Sequence, residues 1–522
     1  MASLEAKRKQ IGEEWLSYRL CITAEEAFPE YERHFLSARE EIVASFRIFD
    51  PSTRLRSPEG RAIGETWRDL IEHVLRSGVE ITLYITDFDA IAASSLHQCT
   101  WRSIRELSAV AELAGPDAAR LRLVAAAHPA RVGLLPTLVL YPRLVRELQR
   151  RARELARLSP ELLRTALRDM PCLAPYIRQT DKGPRPAYGF PRLIPASHHQ
   201  KVAVFDRKRI TLGGLDLNER RWDTKEHRQP ADETWHDVQI FLDDPGRARA
   251  AVEHILSLQR VTGGMMAPPR TPGLLRTLSR RRRTGFFLSP HRLVREISMA
   301  HRRRIATSRK LIYIETQFLR DLRTAQRLAR AARKNPDLNL ILIIPAAPDD
   351  LAFNKLRRAD VRLGEFLQAR CLRMLRSAYG SRVFIGAPVQ PRRYFSEGRD
   401  ALWGGPIIYV HSKVSVFDDD AAIVSSANLN GRSLYWDTEL GLELTRPADV
   451  RHLRRRCFEH WLPEGSGPEF YDAETALESW RRLAVDNLYK PPEERRGFVL
   501  PYDPTPADRF GRDLPAVPDE IV

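Results

Sequence analysis

Hydrophobic and polar residues follow two alternating periods along this chain, and the order of those periods occurs twice. EIVASFRIFD (Glu41–Asp50) and VEITLYITDFD (Val79–Asp89) are strand-like runs rich in β-branched and aromatic residues. Between them WRDLIEHVLRSG (Trp67–Gly78) has a helical spacing that closes on a glycine. A helix over Thr100–Leu113 and the strand LRLVAAAHP follow. The second half runs in the same order: KLIYIETQF (Lys310–Phe318), helical LRTAQRLARAARKN, the strand LNLILIIP, a helix over Val361–Ala378 and the strand SRVFIGAP. This alternation predicts an α/β fold of two fused βαβ repeats related by a pseudo-twofold, each a mostly parallel or mixed sheet flanked by helices.

The pattern divides the chain into a helical lead-in (1–35), a first repeat (36–262), a linker (263–290), a second repeat (291–462) and a C-terminal helix with an irregular tail (463–522). Three stretches depart from the repeat. Leu144–Met170 is a basic amphipathic helical insertion, read either as a solvated helix packed on its repeat or as a lip meeting anionic headgroups. Gly263–Pro290 is rich in Pro, Gly and Arg, and reads as a mobile linker whose arginines beside Phe286, Phe287 and Leu288 suit a membrane surface as well as water. The tail from Lys490 is dense in Pro, Asp and Arg and is expected to be irregular.

The chemistry lies in one sentence written twice. HQKVAVFDRKRITLGGLDLNERRWDT (His199–Thr224) is echoed by HSKVSVFDDDAAIVSSANLNGRSLYWDT (His411–Thr438). His199, Lys201, Asp206 and Asn218 return as His411, Lys413, Asp418 and Asn430, each 212 positions on (411−199, 413−201, 418−206, 430−218). On a strand the His and Lys of each copy point the same way. A lysine is a point charge for phosphate oxygens, and a histidine is a nucleophile or proton donor near neutral pH. Two such pairs facing each other across a pseudo-twofold interface allow one histidine to attack phosphorus while the other protonates the leaving oxygen. Asp206 lies seven residues beyond His199, ~23 Å along an extended strand at ~3.3 Å per residue, so the spacing assigns Asp206 and Asp418 to the turn after the strand.

Small residues after the second strand, VSSANLNGRS, place Ser426 and Asn428 near the expected anion; the first copy has Asp216 where the second has Asn428. Each histidine also needs an orienting acceptor. Asp237 in TWHDVQIF and Glu439 in WDTELGLEL open strand-like segments shortly after the two motifs and occupy corresponding places. His198 and His236 read equally well as satisfied core histidines.

Both segments resemble the His-x-Lys-x4-Asp motif of the phospholipase D superfamily, over roughly residues 36–462. The second is similar to the longer form ending in Gly-Ser-x-Asn, keeping Ser426 and Asn428 and departing at Ser425. GGLDL followed by RRWD resembles the phosphatidylcholine-type branch, with Arg220 in place of a glycine, and YIETQF (Tyr313–Phe318) resembles that branch's IENQYF strand. The resemblance implies hydrolysis of phosphatidylcholine-like lipids to phosphatidate, with transphosphatidylation to primary alcohols. His199 would be the nucleophile that forms a phosphohistidine and His411 the general acid, with Lys201, Lys413, Asn428 and Ser426 on the phosphate. It also groups Asp206 and Asp418 with the catalytic motif. The alternatives are a cardiolipin-synthase-like phosphatidyltransferase, a nuclease of the same superfamily, and a binding module with a retired site.

Composition narrows this little. A net charge of +17 and a pI near 9.9 suit a nucleic acid or an anionic membrane surface as partner. Five scattered cysteines without CxxC spacing indicate neither a disulfide framework nor a zinc site. No carboxylate cluster with magnesium or calcium spacing accompanies either motif, so catalysis without a metal or other cofactor is expected. The first residues have no signal-peptide run and no stretch reaches membrane-span length, so a cytoplasmic or membrane-peripheral enzyme is expected, with leaderless export left open. One chain carrying both halves predicts a monomer.

Overall fold

The computed structural model describes residues 17–282, 286–515 and 517–522. Two mixed sheets carry the repeats. The first holds β1 (Arg19–Ile22), β2 (Glu41–Phe46), β3 (Glu80–Asp87), β4 (Leu121–Ala127), β5 (Val202–Phe205), β6 (Arg209–Gly213) and β7 (Val238–Asp243), in the order β1-β7-β6-β5-β2-β3-β4. The second holds β8 (Leu275–Arg280), β9 (His291–Arg295), β10 (Leu311–Thr316), β11 (Asn339–Ile343), β12 (Val383–Pro388), β13 (Lys413–Phe417), β14 (Ala421–Ser425), β15 (Glu439–Leu444) and β16 (Val499–Pro501). Its order is β9-β8-β15-β14-β13-β10-β11-β12-β16. Without the outer β9 and β16, the sheets correspond strand for strand. In each, three strands run parallel (β2-β3-β4 and β10-β11-β12), and an antiparallel hairpin carrying the motif docks on the first of them.

Period-2 alternation explains why the two sheets meet. Val202 and Val204 of β5, Ile210 and Leu212 of β6, Val414 and Val416 of β13, and Ala422 and Val424 of β14 share one buried cluster. Their neighbours Ala203 and Phe205 face a separate core with helices α1 (Thr23–Ser37) and α2 (Trp67–Arg76), while Phe417, Ala421 and Ile423 face the second repeat's own helical core. Each motif strand is thus buried on both faces, and its β-branched and aromatic content follows from that.

Three expectations need correction. The lead-in is not wholly helical: β1 precedes α1 and pairs antiparallel with β7, and its first part (1–16) lies outside the described residues. The linker is not merely a loop, since β8 fills the position beside β15 that β1 fills beside β7; residues 283–285 lie outside the described set. The tail is ordered in part, with β16 pairing antiparallel with β12. The insertion starts ten residues earlier than expected (144−134) and is broken into two helices, α3 (Leu134–Leu155) and α4 (Pro160–Arg168). Leu144, Leu148 and Leu155 anchor it against Ile91, Met170 and Leu173, as a packed amphipathic helix requires.

Candidate active site

The two motifs converge from opposite sheets. His199 and His411 are 8% and 3% exposed, and Lys201 and Lys413 are buried beside them. Lys201 Nζ donates to the His199 carbonyl at 2.7 Å, and Lys413 Nζ bonds the His411 carbonyl likewise. Each ammonium is therefore tied to the backbone of its own histidine.

The orienting carboxylates are exchanged between repeats. His199 Nδ1 lies 3.0 Å from Glu439 Oε1, and His411 Nδ1 lies 2.6 Å from Asp237 Oδ2. Backbone pairing brings this about. Thr438 N donates to Ser197 O at 2.9 Å and His199 N to Thr438 O at 2.8 Å; His236 N donates to Tyr409 O at 2.9 Å and His411 N to His236 O at 2.8 Å. Each motif's lead-in thus forms a short parallel bridge with the segment that precedes the other repeat's carboxylate. With Nδ1 engaged, Nε2 of each ring is left for substrate.

Burial, then the Lys201, Arg47, Lys413 and Arg432 charges, hold the His199 imidazolium well below the ordinary histidine range. Burial, then Lys413, Arg221 and Lys201, do the same to His411. Burial pushes Glu439 up to about 8, opposed by Lys201, and raises Asp237, opposed by Lys413. Lys413 is drawn down to about 7 by burial, against the pull of Asp237. The cations that disfavour a charged imidazole are those that would attract a phosphodiester. In the free site the nucleophile's lone pair is available, and an arriving anion favours protonation of Lys413.

Several candidates sit elsewhere than expected. Asp206 and Asp418, which the resemblance groups with the catalytic motif, do not join the histidines, in line with their spacing. The Asp206 carboxylate accepts the amides of Arg39, Glu40 and Glu41, and that of Asp418 the amides of Arg309, Lys310 and Leu311. They are not catalytic in placement. Rather than closing their own turn, they fasten the far end of the motif hairpin to the start of β2 or β10. Ser426 does not face the anion either: its hydroxyl donates to Glu439 and accepts from Leu440 N. At the corresponding Gly214 a Cβ would lie 2.0 Å from Asp237 Oδ1, so the shorter carboxylate meets a glycine and the longer one a serine. Asn428 Nδ2 donates to Gln317 Oε1 at 3.0 Å, while its buried Oδ1 has no partner.

Ser425, the departure noted above, is compensated across the sheet. Gly213 pairs with Gln239, and the equivalent Ser425 pairs with Gly441. A Cβ on Gly441 would sit 2.4 Å from that of Ser425, so the small residue has moved to the partner strand.

Sequence reasoning missed Arg47, Gln317 and Arg221. Arg47 and Gln317 are equivalent by the strand offset (317−47 = 270, as 311−41 = 270), a signal the motif alignment alone did not carry. Arg221 is buried over Trp235, its charge 3.5 Å from the ring centre, and burial lowers it to about 10. His198, by contrast, is an interior histidine away from the phosphate side, with Nδ1 2.9 Å from Thr438 Oγ1 and its buried Nε2 without a partner.

Residues 301–461 match the family model described as "Cardiolipin synthase, PLD-like domain". Over 182 residues the chain is 29% identical to "Phospholipase D zeta 1" of Arabidopsis thaliana. The chain is similar to phospholipase D-like proteins over part of its length. The plant match covers 30% of this chain and only 17% of the length of that relative. The fold is similar to the crystal structure of phosphatidylserine synthase from Haemophilus influenzae Rd KW20, with a TM-score of 0.50 at 13% identity, covering 91% of this chain and 95% of that one. Among the described residues no helix is long and apolar enough to cross a membrane.

Proposed function

We propose that this chain is a phosphodiesterase-type enzyme of the phospholipase D superfamily that transfers a phosphatidyl group from a phospholipid to a hydroxyl acceptor through a phosphohistidine on His199. The observation that carries the reading is the pair of crossed imidazole–carboxylate dyads, His199–Glu439 and His411–Asp237, set among Lys201, Lys413, Arg47 and Arg221. His199 Nε2 attacks phosphorus and a P–N bond forms. The arriving anion offsets the surrounding cations, so His411 takes up a proton at Nε2 beside the Asp237 carboxylate; the P–O bond to the headgroup then breaks, and the headgroup oxygen takes that proton. The acceptor hydroxyl then gives its proton to His411, its oxygen attacks phosphorus, and the P–N bond breaks. Lys201, Lys413 and Asn428 hold the non-bridging oxygens. Glu439 and Asp237 orient the rings, and Asp237 stabilises the imidazolium of His411.

Phosphatidylcholine hydrolysis was the first expectation. The cardiolipin synthase model match weighs at least as much for an alcohol acceptor, so transfer is the leading reading and hydrolysis is the same chemistry with water as acceptor. The GGLDL and RRWDT residues support phosphatidylcholine as a donor. A lipid substrate also suits one exposed apolar face: Leu134, Leu135, Leu138 and Val139 on the first turns of α3 lie beside Phe286 and Phe287, with Gly133 N donating to Phe287 O at 2.8 Å. Arg282 stands 4.4 Å over the Phe287 ring, where it could meet headgroup phosphates.

The test supplies phosphatidylcholine vesicles, with and without glycerol, to wild type, His199→Ala and His411→Ala. Phosphatidylglycerol from wild type and no product from either variant is expected. Phosphatidate alone, even in glycerol, would restrict the enzyme to hydrolysis. No lipid product, with salt-sensitive DNA cleavage instead, would replace the reading by a nuclease.

A further inference from the structure

We propose that His227, His236 and His460 bind a divalent transition-metal ion of the zinc class, which fastens the segment leading to Asp237 onto the second repeat. One ring nitrogen from each lies within 4.8 Å of the others. His227 and His236 are fully buried in the first repeat, and His460 is half-buried on the helix Pro447–Trp461 of the second.

Two of the three rings are already prepared as ligands. His227 Nδ1 is 2.6 Å from Asp223 Oδ2, and His236 Nε2 is 3.0 Å from Glu315 Oε2. Both carboxylates are themselves held: Asp223 accepts Trp235 N at 2.7 Å, and Glu315 accepts Ser412 Oγ at 2.6 Å and Trp461 Nε1 at 3.0 Å. A carboxylate behind an imidazole fixes its tautomer and puts the lone pair on the opposite nitrogen, the usual outer arrangement of a metal-bound histidine.

Those opposite nitrogens are His227 Nε2 and His236 Nδ1. A proton alone leaves them poorly served. His460 Nε2 lies 2.9 Å from His227 Nε2, so one shared proton can satisfy that pair. His236 Nδ1 then stays buried without a hydrogen-bond partner, as it is here. A single ion bonded at about 2.0–2.1 Å to each nitrogen would satisfy all three. The Asp223 and Glu315 charges balance a divalent cation. An all-imidazole set selects zinc, cobalt or nickel over magnesium or calcium. Trp461 stacks 6.1 Å from His227 and Phe498 lies 5.5 Å from it, which makes the surroundings dry.

The ion would act on the reaction only through position. His236 N bonds Tyr409 O, the His236 carbonyl accepts His411 N, and the next residue, Asp237, orients His411. Clamping His236 to His460 would hold that bridge in register.

The test is independent of any lipid assay. Tag-free protein purified without chelators is analysed for bound metal by plasma mass spectrometry. It is then stripped with pyridine-2,6-dicarboxylate and titrated with Zn²⁺ or Co²⁺ while the melting temperature is followed. About one zinc-class ion per chain, or on titration a melting temperature raised by Zn²⁺ together with the visible bands of tetrahedral Co²⁺, is expected. His460→Gln, at the half-buried position, should lose that binding, and Asp223→Asn should weaken it about 10–100-fold. No metal in the purified protein together with no Co²⁺ bands on titration would overturn the proposal. So would undiminished binding in both variants, and Asp223→Asn decides alone if His460→Gln does not fold.

Discussion

The two half-sites share one backbone and differ in charge. Beside Lys201 stand Asp216, at 3.5 Å, and Arg47; at the equivalent places beside Lys413 stand the neutral Asn428 and Gln317, hydrogen-bonded to each other. The first half holds its lysine with a carboxylate even when no phosphate is present. The second half leaves an amide and a lysine whose proton affinity burial has lowered to about 7. A duplicated site thus supplies two jobs from one scaffold: a wall whose lysine, though burial lowers it, keeps a carboxylate partner, and a wall whose charge responds to the substrate. The carboxylates differ in the same sense, since Asp237 fits against Gly214 and the longer Glu439 is held by Ser426.

The largest effect should come from the histidines, where the halves are alike. His199→Ala or His411→Ala should each lower turnover by roughly 10⁴-fold or more, since groups acting as a unit fail together. Retention of a tenth of the activity by either variant would remove the two-histidine mechanism.

Next comes pH, where the halves differ. Lys413 is cationic below about 7 and neutral above, so capture of the anionic substrate weakens as pH rises through that value. The profile of kcat/KM should fall towards tenfold per unit on its basic side, and Lys413→Arg should move that limb upward by at least a unit. A limb left in place by Lys413→Arg would assign it to another group.

The exchanged glycines make a stability test. Gly441→Ala should cost about 1–3 kcal/mol by crowding Ser425, and Ser425→Gly in the same protein should restore part of it, since Val424 O also lies 2.9 Å from the added Cβ. Denaturant unfolding of the single and double variants measures the coupling; additive effects would separate the two positions. The smallest effect is Asp216→Asn, which makes the first half resemble the second. It should lower KM a few-fold by releasing Lys201 to the phosphate, with kcat little changed, and a raised KM would contradict the unequal-lysine view.

Much of this was legible in the sequence. The strands of both repeats, the motif pairs and the structural placing of Asp206 and Asp418 at the far end of the strand all followed from period, offset and reach. What was hidden depended on contact between the repeats. Asp237 and Glu439 could be named, but their exchange comes from two bridges, Ser197–His199 with Thr438 and Tyr409–His411 with His236, and neither is local in sequence. Ser426 was assigned to phosphate because its neighbours are small and polar, yet it serves Glu439. β1 and β8 were taken for lead-in and linker because a strand of four to six residues leaves little periodicity to read.

The exchange is tested most directly with a phosphatidyl ester of p-nitrophenol, whose leaving group needs no proton. The first step then depends on His199 and its acceptor, and the second on His411 and its own. His411→Ala and Asp237→Asn should release a burst of about one nitrophenolate per chain and stall as a phosphorylated His199, while Glu439→Gln, like His199→Ala, should give no burst. A burst from Glu439→Gln and none from Asp237→Asn would mean that each carboxylate serves its own repeat's histidine, and the crossed site would be wrong.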